Sequence, residues 1–274
     1  MSAFETSYRK LMAAIFQQGH MRPSRVGNTC QLVGTTLGFT ELVDGKFPIL
    51  TTRRMYPRGI WGELAAFLQG ATQLSEYTAQ GCNYWTDNAA KWDRNQGLPV
   101  EEWSVGNIYG AQWRNFGRGV DQIKMLIDGL MKDPYGRRHL LTTYDPSVLH
   151  EACLPPCHLL AQFNVQDGRL DLIVYMRSVD VCLGLPADIV LYATLLALIA
   201  QTASYKPGRI AFMMGDTHIY SKHSEGAMEQ ISRDPLPLPG YWLDPTATVD
   251  NFKPEMIRLV DYQFHEPIKY ELLT

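Results

Sequence analysis

The chain has little of what marks several large protein classes. Its 274 residues hold five cysteines, Cys30, Cys82, Cys153, Cys157 and Cys182. An odd count spread this widely argues against a disulfide scaffold and predicts free thiols in a reducing compartment. Net charge is -3, so the basic footprint of a nucleic-acid-binding domain is missing, and the arginines read better as local anion sites. No apolar run is expected to reach membrane-spanning length, and residues 1–17 are too interrupted by polar side chains for a secretory signal. Repeats, low-complexity tracts and linkers are also missing. With 46% hydrophobic residues, the expectation is one soluble, cytoplasmic domain over 1–274 with a large core, binding neither nucleic acid nor membrane.

What is there is a set of polar blocks, each closing an apolar run. Ala161, Phe163 and Val165 alternate with Gln162, Asn164 and Gln166; Asp167-Gly168 supplies a tight primed turn, and Leu170, Leu172 and Val174 resume the alternation. This predicts a β-hairpin with Cys157 at its entrance and Arg177 at its exit, one thiol and one guanidinium in a small volume. Residues 186–204 read as a helix apolar all round, hence buried, with Asp188 near its N-terminus, where the helix dipole favours negative charge.

Elsewhere the spacing predicts helices over 4–18, 61–69 and 120–132 and a further helix ending near Ser232. Strands are expected over 30–43, 47–52, 139–144 and 209–214, with short ones near 256–262. Several polar residues have ordinary readings when taken alone. Glu63 suits a boundary position facing outward, Arg25 a solvated basic loop, Arg137-Arg138 surface charge, and Asp180 a loop cap. A buried Cys157 is more often inert than reactive.

Taken together, those residues carry a resemblance. Pro156-Cys157-His158, Arg177-Ser178-x-Asp180-Val181 with Gly184-Leu185-Pro186, and Gly215-Asp216-Thr217-His218-Ile219-Tyr220-Ser221 resemble the signature blocks of the thymidylate synthase family, in order and spacing. The likeness extends to Arg25-x-Gly27-Asn28-Thr29, residues 47–52, Glu63-Leu64, Tyr109-Gly110-x-Gln112-Trp113-Arg114 and Asp133-Pro134-x-x-Arg137-Arg138. It implies an α/β (α+β) fold with a large mixed sheet around a buried central helix, and a homodimer formed through the sheet face.

The resemblance also implies roles. Cys157 is the nucleophile, with Glu63, Tyr109 and Asp188 as its catalytic companions. Arg25, Arg177 and Ser178 hold the nucleotide phosphate, and Arg137 and Arg138 reach across the dimer to the partner's phosphate. His218 and Tyr220 bind the sugar hydroxyl. Asp180, Trp85 and Gly184 serve the co-substrate, 5,10-methylenetetrahydrofolate, and no metal is implied. Cationic neighbours are expected to lower the Cys157 thiol pKa, and burial to raise that of Glu63. The stretch from Tyr84 to Trp103 is least like the family pattern, and the tail Tyr270-Glu271-Leu272-Leu273-Thr274 differs from the small apolar tail that closes the synthase site.

One departure points to the substrate. The synthases carry Asn where this chain has Asp188, and that residue reads the pyrimidine edge. An Asn amide offers a donor and an acceptor, matching uracil; a carboxylate offers only acceptors, matching the amino group of cytosine. The resemblance therefore leans toward the deoxycytidylate 5-hydroxymethylases known from bacteriophages, which would make the chain's setting a host cytoplasm. The remaining readings are a 5-methyldeoxycytidylate synthase, a thymidylate synthase needing a protonated Asp188, a deoxyuridylate or ribocytidylate hydroxymethylase, and a non-catalytic nucleotide-binding protein. A zinc cytidine deaminase is disfavoured: His150 and Glu151 are adjacent, and Cys153 and Cys157 are one residue too far apart for its second block.

Overall fold

The computed structural model describes residues 3–273. Helix α1 (Ala3–Gln18) buries the stripe Phe4, Tyr8, Leu11, Met12 and Ile15. The chain then makes the hairpin of β1 (His20–Ser24) and β2 (Gly27–Phe39). Five helices follow: α2 (Pro57–Gln69), the short α3 (Leu74–Ala79) and α4 (Thr86–Lys91), α5 (Tyr109–Asn115) and α6 (Gln122–Lys132). After β3 (Leu140–Thr142), strands β4 (His158–Gln166) and β5 (Arg169–Asp180) form a hairpin. Helix α7 (Gly184–Thr202) crosses to β6 (Lys206–Tyr220), and α8 (Ser224–Ser232), β7 (Gly240–Leu243) and β8 (Ile257–Val260) complete the chain.

Six strands form one mixed sheet in the order β1-β2-β6-β5-β4-β3. Only β5 and β6 run parallel, which requires the crossover that α7 provides. The large mixed sheet and buried helix agree with the expected fold class. On β5, Leu170, Leu172, Val174 and Met176 face inward, and on β6 Ile210, Phe212 and Met214 do the same. The opposite face leaves Tyr175 and Met213, partners in the ladder, exposed.

Residues 189–200 of α7 are buried on every side, between α2 and the β5–β6 part of the sheet. Its one polar core residue beyond the first turns, Thr194, accepts a hydrogen bond from Trp61 Nε1 at 3.1 Å and donates to the Val190 carbonyl at 2.8 Å. By length and hydropathy α7 could cross a membrane, contrary to the expectation that no run reaches that length; here the protein itself covers it. An apolar helix serving as a core and one meeting lipid look alike in composition.

Two strand expectations change. Residues 47–52 join no sheet: the Thr51 and Thr52 amides donate to the buried Glu5 carboxylate at 2.8 and 2.7 Å instead of to a neighbouring strand. The strand expected to reach Val43 stops at Phe39 and gives way to a 3-10 turn at Glu41–Asp44. Likewise, the helix expected from Val120 begins at Gln122, because Asp121 caps it by accepting from the Lys124 amide at 2.9 Å. All five cysteines are free.

The Glu5 carboxylate also accepts from the Thr51 hydroxyl at 2.6 Å, so its removal strands three donors in the core. Glu5→Ala is expected to destabilise the fold by about 3 kcal/mol or more, read as a lower urea midpoint at unchanged slope.

Candidate active site

The β4–β5 turn has Asp167 and Gly168 at φ 48° and 72°, the primed geometry that matches strand twist. That turn sets the register of the two arms and brings their far ends together, the Arg177 amide donating to the Cys157 carbonyl at 2.9 Å. Arg177 Nη2 lies 3.8 Å from the Cys157 sulfur. The same guanidinium is shared with the carbonyls of Pro156 (Nε, 2.7 Å) and Pro155 (Nη2, 2.9 Å).

The expected lowering of the Cys157 thiol pKa is not what the chain gives. Burial pushes the thiol up, Arg177 pulls it down, and the Asp188 charge pushes it up again, leaving it above its usual value. One shared guanidinium does not outweigh desolvation. Arg137 and Arg138, expected near a phosphate, lie exposed on the turn between α6 and β3 and form no hydrogen bond or ion pair among the described residues.

Behind the thiol, the Cys157 amide donates to the Tyr109 hydroxyl at 2.8 Å. Tyr109 opens α5 and packs tilted against Phe67 at 5.0 Å and the His158 ring at 4.7 Å. Glu63, on α2, turns inward rather than outward. Trp85 Nε1 donates to its carboxylate at 2.8 Å, so the indole expected at the co-substrate is tied to Glu63 while its ring packs near Tyr77 and Tyr109. Burial, reinforced by the nearby Asp188 charge, raises Glu63 to about 7 against the opposing Trp85 hydrogen bond. Asp188 sits in the first turns of α7, its side chain 15% exposed, with Oδ1 2.8 Å from His158 Nε2.

A second wall comes from the ends of β5 and β6. Ser178 is paired with Asp216 and Asp180 with His218 across the parallel ladder, while Thr29 of β2 is paired with Tyr220. His218 Nδ1 is 2.9 Å from Asp216 Oδ1, and the His218 and Tyr220 rings meet edge-on at 5.0 Å. Arg25, exposed in the β1–β2 turn, and Cys157 both lie within electrostatic range of Tyr220. Asp180 Oδ1 accepts from the Cys182 amide at 2.9 Å, so it is a loop cap as well as a wall residue. Gly184 lies between the two acids: a Cβ there would stand 3.7 Å from Asp180 Cβ and 3.9 Å from Asp188 Oδ2, so glycine keeps that space open.

Residues beyond the expected set also matter. His158 and the Trp85–Glu63 bond carry no sequence signal beyond their place in the blocks. His223 Nε2 is 2.9 Å from the Glu271 carbonyl, Tyr270 donates to Gln230 at 2.9 Å, and Lys222 pairs with Glu271 at 3.1 Å, so the tail is docked beside Asp180. Of the tail block, Thr274 lies outside the described residues.

The mixed sheet, the buried crossover helix and a cysteine close to a guanidinium and the Asp188 carboxylate define an α/β protein with a buried thiol at the end of a hairpin. A family model described as thymidylate synthase matches residues 6–274, and the chain belongs to that family. It is 36% identical to thymidylate synthase 1/2 of Encephalitozoon cuniculi over 98% of this chain and 97% of that protein. It is 35% and 34% identical to the bifunctional dihydrofolate reductase-thymidylate synthases of Zea mays and Leishmania amazonensis, spanning 54% and 55% of those longer proteins. The family carries out folate-dependent one-carbon transfer to carbon 5 of a pyrimidine nucleotide, with methylenetetrahydrofolate as co-substrate.

Raising an acid from 4.5 to about 7 makes the folded state hold the proton that the unfolded chain has lost. The associated stability is full below 4.5 and declines as pH rises to about 7. Glu63→Gln, which keeps the acceptor for Trp85, is therefore expected to be more stable than the parent at pH 8 by roughly 2 kcal/mol, with most of that gain gone at pH 5. Thermal melts at the two pH values measure it.

Proposed function

We propose that this chain hydroxymethylates deoxycytidylate at carbon 5, using methylenetetrahydrofolate and water. The observation that carries the reading is Asp188: a carboxylate beside the thiol, with one oxygen held by His158 at 2.8 Å, where the synthases have an amide. Cytosine offers this group its amino donor and a ring nitrogen that can carry a shared proton. Uracil offers a carbonyl that would face an anion, a mismatch of about 1 to 3 kcal/mol, or roughly tenfold to over a hundredfold in selectivity.

In this reading the Cys157 thiolate adds to carbon 6, and the electron pair moves to carbon 5, which attacks the folate methylene. Loss of tetrahydrofolate leaves an exocyclic methylene on the ring. Water adds to that methylene, and departure of the thiolate restores the ring double bond. Glu63, near neutrality, is suited to pass the protons these steps require. Tyr109 holds the Cys157 backbone in place. Arg25, Arg177 and Ser178 receive the phosphate, His218 and Tyr220 the sugar, and Asp180, Gly184 and Trp85 the co-substrate side.

Arg137 and Arg138, exposed and without an ion pair among the described residues, and the exposed outer face at Tyr175 and Met213 support a homodimer through the sheet, with the arginines completing the partner's phosphate site and its cationic surroundings. Free thiols and a long apolar helix covered by the protein support a cytoplasmic location. A second reading, thymidylate synthase, is favoured by the names of the relatives and requires Asp188 to be neutral.

Product mass separates the two. Deoxycytidylate is expected to yield a hydroxymethyl product without dihydrofolate; a methyl product from deoxyuridylate, with dihydrofolate absorbance, would overturn the proposal. Asp188→Asn is expected to admit deoxyuridylate by at least about tenfold. Cys157→Ala is expected to abolish turnover, and residual turnover would refute the covalent route.

A further inference from the structure

His158 follows the proposed nucleophile in sequence but faces a different group. Its Nε2 stands 2.8 Å from Asp188 Oδ1, and the imidazole is almost wholly buried. The ring is held at 4.7 Å from Tyr109 and edge-on at 5.4 Å from Tyr192. Its other nitrogen, Nδ1, is buried and meets no hydrogen-bond partner among the described residues.

At 2.8 Å the Nε2–Oδ1 pair is attractive only with a proton between the two atoms. The charged and titratable groups around Asp188 are Glu63 on α2, Tyr109 on α5, Cys157 at the start of β4, Tyr192 on α7 and His158 itself. Among these, His158 places its Nε2 2.8 Å from the Asp188 carboxylate.

We infer that His158 is a positioning residue that sets base selectivity through Asp188: its Nε2–H keeps the carboxylate an acceptor toward the bound base. The inference rests on the assignment of Asp188 to the base edge. Without that donor, Asp188 can take the neutral acid form, which offers one donor and one acceptor, as an amide does, and so fits uracil. With the donor in place, the proton shared between acid and base resides on the ring nitrogen of cytosine, which draws electrons from carbon 6 and favours thiolate addition.

The test compares kcat/KM for deoxycytidylate and deoxyuridylate in the full-length protein and three variants. The Gln amide nitrogen can occupy the position of His Nε2, whereas Asn is too short to reach Asp188 and Leu has no donor. The deoxycytidylate-to-deoxyuridylate ratio is expected to fall at least about tenfold in His158→Leu and His158→Asn, and to stay within about threefold of the parent in His158→Gln. Thermal melts check folding, and His158→Asn carries the comparison if the Leu variant does not fold.

Equal losses on both substrates in all variants, with the ratio unchanged, would reduce His158 to a packing residue and overturn the inference while leaving Asp188's role intact. A parent protein that prefers deoxyuridylate would overturn that role and the inference with it.

Discussion

Because side chains alternate across a strand, slipping the β4–β5 hairpin by one residue would turn Cys157 and His158 to opposite faces and carry Arg177 away from the sulfur. The primed turn at Asp167-Gly168 starts that register, an irregularity between His158 and Leu160 shifts it at the thiol end, and the parallel ladder with β6 sets Asp180 beside His218 and Ser178 beside Asp216. One two-residue turn at the far end of the hairpin thus aligns groups from three strands. The apolar faces of β5 and β6 then bind α7, which carries Asp188 toward the same place. The site depends on sheet register first and on side-chain chemistry second.

The second constraint is electrostatic. A thiol, two carboxylates and one imidazole share a region poor in water, where like charges oppose one another and each ionisation is costly. Burial raises both the Cys157 thiol and Glu63, and Asp188 adds to both effects. The chain answers with close polar contacts: the Trp85 hydrogen bond to Glu63, His158 Nε2 against Asp188, and Arg177 toward the sulfur. In a dimer assembled through the sheet, Arg137 and Arg138 would add the cationic field that a single protomer lacks.

The hairpin was legible because strict alternation around Asp-Gly leaves few other structures open, and α7 because an unbroken apolar run of helical length has to be covered. Residues 47–52 misled for a physical reason: the Thr51 and Thr52 amides go to a carboxylate far away in sequence, and Phe47 and Ile49 donate to the Pro239 and Phe47 carbonyls rather than to a ladder. The site residues were legible as a set of blocks. Their state was not: the raised thiol, the inward turn of Glu63 and the commitment of the Trp85 indole depend on neighbours from other elements.

Local pattern thus determined the hairpin, the buried helix, the free thiols and the identity of the polar groups, since turn chemistry and hydrophobic period act over a few residues. Tertiary structure alone decided which of those groups meet. The His158 ring lies thirty positions before the carboxylate it holds, and no periodicity encodes a contact that exists only after β4 and α7 have packed. Protonation follows the same rule, because desolvation and neighbouring charge belong to the assembled pocket rather than to any single stretch of chain.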